Sequence, residues 1–118
     1  MLQARSWLDA LPLALVLANL LFNVVANASF KASALSANWQ GFLSWQVVGN
    51  VAGLITVLTL TGLLRYIPLS VAFPVTTGLA IIGVEVFAAQ MLFHEPVSAE
   101  QWIGTLLIVG GIALVGRR

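Results

Sequence analysis

Apolar runs long enough to cross a bilayer alternate along this chain with short breaks that carry charge or proline. A helix needs about 20 mostly apolar residues to span the hydrocarbon core. Four such pieces follow one another, at about residues 11–30, 39–64, 69–93 and 101–115. The second stops at "RYIP", the third at "HEP" and the fourth at "GRR". The connections are only a few residues long. The pattern therefore predicts an all-α fold, a single domain over residues 1–118 built as an integral membrane bundle of four transmembrane helices with short loops. A signal-peptide reading of the first run, ending at "ANA" before Ser29, is disfavoured by the asparagines that interrupt its apolar stretch.

Those asparagines are the first departure from a plain lipid-facing pattern. Asn19, Asn23 and Asn27 recur every four residues, and the run closes on Lys31. Each step of four overshoots a helical turn by about 40°, so the three amides form one drifting stripe. An amide without a partner in an apolar medium costs roughly 2–7 kcal/mol, so the stripe requires partners. The second run carries Gln46 and Asn50 on one face, with Thr56 and Thr59 further along. The third carries Thr76, Thr77 and Gln90, with Glu85 well inside the apolar stretch. Two readings stand side by side. Interhelical amides act as packing glue, worth about 0.6 kcal/mol per bond on average, or they line a wet, substrate-facing groove. An intramembrane carboxylate such as Glu85 is a functional candidate by default.

Composition settles the solvent. The chain is 60% hydrophobic and 8% charged, against about 25% charged in soluble domains, so too few charges exist to coat a water-soluble surface. A net charge of +1 gives no reason to expect a nucleic-acid partner. With no cysteine and a single histidine, His94, no zinc site of several Cys or His ligands can form. Neither a metal nor a cofactor is expected. No nucleophile–base pair or phosphate loop is recognisable, and an enzyme is not expected.

Basic residues set an orientation. In a four-crossing topology Arg5, Arg65, Arg117 and Arg118 share one side, and Lys31 alone lies on the other. Short-loop Lys and Arg stay cytoplasmic, which places both termini in the cytoplasm and Glu95 and Glu100 outside. Small residues mark close helix approach. Gly49 and Gly53 form a GxxxG on the second helix. Pro74, followed four residues later by Gly78, reads as a hinge or a static kink in the third. The fourth, "WIGTLLIVGGIALVG", has neither amide nor charge and is expected to pack against protein.

Taken together these residues resemble the four-helix small multidrug resistance transporters of the drug/metabolite transporter superfamily. "LRYIPLSVAFPVTTG" resembles that family's "YIP" start to the third helix, with Ala72 and the aromatic Phe73. Gly104, Leu107, Ile108 and Gly111 match its GxxLIxxG dimerisation pattern, and Lys31 matches the lysine closing its first helix. Drug exporters of the family use a first-helix glutamate; counted back from Lys31, that position is Asn23, which cannot carry charge. "LFHEPVSAEQWIGTLLIVGGIALVG" is similar to the end of the subunits proposed to flip aminoarabinose-phosphoundecaprenol across the bacterial inner membrane.

The resemblance implies an inner-membrane, multi-pass transporter that works as a dimer, either of identical chains or with a related four-helix subunit. Its expected cargo is a lipid-linked sugar or similar amphipathic metabolite, moved by alternating access with membrane lipid as its other partner. Asn19, Asn23, Asn27, Gln46, Asn50 and Glu85 are the expected substrate-binding residues, Pro74 and Gly78 the hinge, and Gly104, Leu107, Ile108 and Gly111 the dimer interface. The alternatives are a proton-coupled exporter of cationic drugs or small polar metabolites acting through Glu85, and a non-transporting membrane scaffold subunit.

Overall fold

A computed structural model describes residues 2–116; Arg117 and Arg118 of the charge argument lie outside the described residues. Four helical elements follow one another: α1 (Leu2–Ala34), α2 (Trp39–Leu63), α3 (Leu69–Gly83) and α4 (Ala99–Gly116). A π-helical segment, Val84–Leu92, continues α3 directly. The stretches Ala10–Ala34, Trp39–Leu63 and Leu69–Leu92 are each long and apolar enough to cross a membrane, and α4 supplies a shorter apolar helix. The fold is thus an all-α membrane bundle with short connections.

Local chemistry explains where the helices start. Asn38 caps α2, its side chain accepting from the Gly41 backbone N–H at 2.7 Å. A Cβ on Gly41 would stand 3.1 Å from Ser36 Oγ, so the tight turn favours a residue without one. Ser98 and Gln101 exchange backbone-to-side-chain bonds of 2.8 and 3.1 Å, a reciprocal capping box at the start of α4. The apolar span expected from about residue 11 is found at Ala10–Ala34, and the helix that carries it, α1, starts earlier, at Leu2, and runs through Pro12. Likewise α3 runs through Pro74. The departure from regular α geometry comes later. Phe93 N–H reaches back five residues to Ala88 C=O at 3.1 Å, and His94 turns the chain at φ 53°. Such π segments are often found at functional sites.

α1 is the centre of the bundle, packing on α2, α3 and the π segment, whereas α4 packs on α3. The buried positions are mostly small: Ala26, Ala52, Ala72, Ala88, Gly49, Gly78 and Gly83. Large side chains such as Leu17, Leu21, Val51, Leu54 and Leu58 face outward. A water-soluble protein would invert this arrangement. In lipid it is expected, because tails solvate leucine as well as another helix does and close backbone approach supplies the attraction.

The two glycines of the second-helix GxxxG differ in their surroundings. A Cβ on Gly49 would lie 2.5 Å from the Phe30 ring, whereas nothing comes within 4 Å of one on Gly53. On α3, a Cβ at Gly83 would meet Leu20 Cδ1 at 2.8 Å and Val24 Cγ2 at 3.1 Å. Gly83→Val is therefore expected to force α3 off α1 and to lower stability by about 1–3 kcal/mol. Gly53→Val should be near neutral, and thermal unfolding of the two variants in detergent compares them.

Candidate amide-lined cleft

The amide stripe solves its own desolvation problem one helical turn at a time. Asn27 Nδ2 donates to the Asn23 carbonyl at 2.9 Å. Asn23 Nδ2 donates to the Asn19 carbonyl at 3.1 Å and to Asn19 Oδ1 at 2.8 Å. Asn19, only 3% exposed, ends the ladder by crossing to α2. Its Nδ2 donates to the Thr56 carbonyl at 2.9 Å and to Thr59 Oγ1 at 3.2 Å. Asn19 is thus a clasp between α1 and α2. Asn23 has another aspect, because it borders a hollow.

That hollow, about 220 Å³, lies where α1, α2 and α3 meet. Asn19 and Asn23 line it from α1, Thr56, Val57 and Leu60 from α2, and Phe73, Thr76, Thr77 and Ala80 from α3. The spacing of Phe73, Thr76, Thr77 and Ala80 places them on one face of α3, which is why a single helix can supply the third wall. Thr76 is buried and returns its hydroxyl proton to the Ala72 carbonyl at 2.9 Å. Thr56 does the same toward Gly53 at 2.6 Å. The lining holds no charged residue.

The remaining polar residues lie elsewhere. Gln46 does not line this cleft; its Nε2 donates to Ser33 Oγ at 3.2 Å, and the buried Ser33 donates to the Phe42 carbonyl at 2.8 Å. Asn50 is exposed and donates to the Gln46 carbonyl at 2.7 Å. Asn27 is the exposed end of the ladder. Glu85, in the first turn of the π segment, reaches α4, where Thr105 Oγ1 stands 2.8 Å from each carboxylate oxygen. The expected set thus divides among the cleft, the Lys31 end of the α1–α2 seam, and the junction with α4.

The stretch "WIGTLLIVGGIALVG" has neither amide nor charge, although α4 begins two residues before Gln101 and so includes Glu100 and Gln101. Its buried Thr105 hydroxyl, which meets Glu85, has no marker in the pattern of amides and charges. Ser33 was missed for the same reason. A search for hydroxyls as well as amides on apolar helices would have marked both. Lys31 Nζ pairs with Glu95 Oε2 at 3.0 Å, with both side chains 44% exposed. An ion pair that open is worth about 0–1 kcal/mol, so it ties the connection before α4 to α1 only weakly. The face of α4 away from α3 exposes Leu107, Ile108 and Gly111, and no atom lies within 4 Å of a Cβ built on Gly104 or Gly111.

A family model described as Small Multidrug Resistance protein matches residues 7–108. The chain is 33% identical over 90 residues to the probable 4-amino-4-deoxy-L-arabinose-phosphoundecaprenol flippase subunit ArnE of Pseudomonas fluorescens, covering 69% of this chain and 77% of that protein. The protein of the same description from Escherichia fergusonii is 33% identical over 108 residues, covering 88% and 95%. Its Escherichia coli counterpart is 41% identical over 64 residues, covering 54% and 55%. No solved structure matches the chain.

Proposed function

Because the chain belongs to the small multidrug resistance protein family, we propose that it is a transporter subunit that carries the polar head of a lipid-linked sugar across the membrane by alternating access. The relatives described as flippase subunits support this reading. The observation that carries it is the uncharged cleft among α1, α2 and α3, where two asparagines and three threonines stand beside Val57, Leu60, Phe73 and Ala80, inside a bundle whose outer surface is hydrocarbon-like. At about 220 Å³ the cleft falls below the roughly 300–1,000 Å³ of pockets that bury drug-sized ligands. That size suits a headgroup fragment whose tail stays in the lipid. The protein works by binding and movement rather than by catalysis.

The assembly is completed by a second four-helix chain. The bundle measures 56 × 33 × 20 Å. Its smallest extent is about two helix diameters, so one chain encloses little. Gly104, Leu107, Ile108 and Gly111 on the open face of α4 form the contact, with a related subunit favoured over an identical one. Pro74 and Gly78 on α3 provide the flexure between inward and outward states. Both termini face the cytoplasm of the bacterial inner membrane, with Arg5, Arg65, Arg117 and Arg118 on that side.

The test is reconstitution with the candidate partner chain in vesicles loaded with a polyprenyl-phosphate sugar. A membrane-impermeant periodate reagent then reports how much sugar faces outward. The expected result is a protein-dependent rise in the exchanging fraction. If protein and partner leave exchange at the lipid-only rate, the reading fails.

A further inference from the structure

The polarity of the cleft can be read atom by atom. Amide orientation is often ambiguous, but here backbone carbonyls settle it. Asn19 Nδ2 stands 2.9 Å from the Thr56 carbonyl and Asn23 Nδ2 3.1 Å from the Asn19 carbonyl, so each of these positions must be nitrogen. Both nitrogens place their two N–H bonds on protein acceptors, Asn19 on Thr56 and Thr59 and Asn23 on the two oxygens of Asn19. The hydroxyl protons of Thr56 and Thr76 are given to Gly53, and to Ala72 and Phe73. What these side chains leave for an incoming group is lone pairs: Asn23 Oδ1 and the hydroxyl oxygens of Thr56 and Thr76. Thr77, with no hydrogen-bond partner among the described residues, adds one donor.

We propose that the cleft is an acceptor site that takes the hydroxyl-bearing sugar portion of an amphipathic substrate and excludes its phosphate. The inference rests on the transport reading above and assigns which end of the substrate enters. A sugar hydroxyl donates to Asn23 Oδ1 and the threonine oxygens, and one of its own oxygens accepts from Thr77. A phosphate ester presents mainly acceptors and carries negative charge. In the cleft it would face oxygen lone pairs with no cation to pair it, and an unpaired buried charge is strongly unfavourable. The basic side chains described in the structure, Lys31 and Arg65, lie at helix ends outside the cleft lining. In the bound state the phosphate therefore lies outside this lining while the sugar occupies it.

The experiment measures binding of two probes with the same tail, decyl glucoside and decyl phosphate, to the assembled protein in nanodiscs, each below its micelle concentration. Decyl glucoside is expected to bind at least about tenfold more tightly than decyl phosphate, and Asn23→Leu, with its helix content checked against wild type by circular dichroism, is expected to erase the difference. Equal or tighter binding of decyl phosphate, lost in Asn23→Leu, would overturn the assignment while sparing the transport reading. If neither probe responds to Asn23→Leu, the cleft is not a substrate site and both fall. Thr77→Val supplies a second readout, expected to weaken decyl glucoside severalfold without strengthening decyl phosphate.

Discussion

Asn23→Leu is expected to slow headgroup transfer by about 10–100-fold, whereas Glu85→Gln leaves it within a few-fold of wild type. The magnitude follows from what the leucine removes. Asn23 Oδ1 is a cleft acceptor, and a buried polar group of the substrate left without its partner costs about 1–3 kcal/mol, with each 1.4 kcal/mol a factor of ten. The leucine also fills part of a hollow of only about 220 Å³. Glu85 contributes nothing to that lining, and its contact is with Thr105 of α4. Glutamine preserves an oxygen for the Thr105 hydroxyl. An exporter coupled through the Glu85 carboxylate would give the opposite ranking, with Glu85→Gln inactive and Asn23→Leu tolerated. The paired transfer assay separates the two.

Asn19→Leu is expected to act on stability as well as transport, lowering resistance to unfolding by about 2–4 kcal/mol. The substitution removes two bonds from α1 to α2 and the Oδ1 acceptor on which Asn23 leans. Interhelical hydrogen bonds in membranes average about 0.6 and reach about 1.7 kcal/mol. The direct loss is therefore about 1–3 kcal/mol, and fitting a branched side chain where Asn19 is 3% exposed adds to it. Asn27→Leu, at the exposed end of the same ladder, should change stability by less than about 0.5 kcal/mol. Unfolding by SDS titration compares the two variants; equal effects would mean that Asn19 is not the clasp described.

Much of this architecture was legible because lipid imposes simple rules. Apolar run length located the helices, and "RYIP" and "HEP" located their ends. The four-residue period of the asparagines announced a stripe, and the structure finds that stripe bonded in series. Other features depend on which helix faces which, and one-dimensional spacing does not determine that. Gln46 and Asn50 share a face of α2, but Gln46 meets Ser33 of α1 rather than an asparagine and Asn50 bonds back to Gln46, because the helices cross with Asn19 opposite Thr56 and Thr59. The π segment has no sequence signature, since its hydrogen bonds differ from α only by one residue of register. Pro74 is visible in the sequence, but the helix runs through it, and the change of register at Val84 carries no such mark. The role of Thr105 is hidden for a related reason: a lone threonine on an apolar helix gains meaning only when Glu85 is placed beside it.

The transport mechanism requires water on the amide side of α1. The chain contains no cysteine, so single cysteines can be introduced without first removing any. Asn23→Cys and Thr77→Cys, labelled with a membrane-impermeant maleimide in the assembled transporter, are expected to react, and decyl glucoside is expected to slow both. Leu21→Cys, on the exposed apolar side of the same helix, should stay inert. If Asn23→Cys and Thr77→Cys resisted the reagent as fully as Leu21→Cys, with and without probe, the cleft would be dry packing and the transport mechanism would have no path.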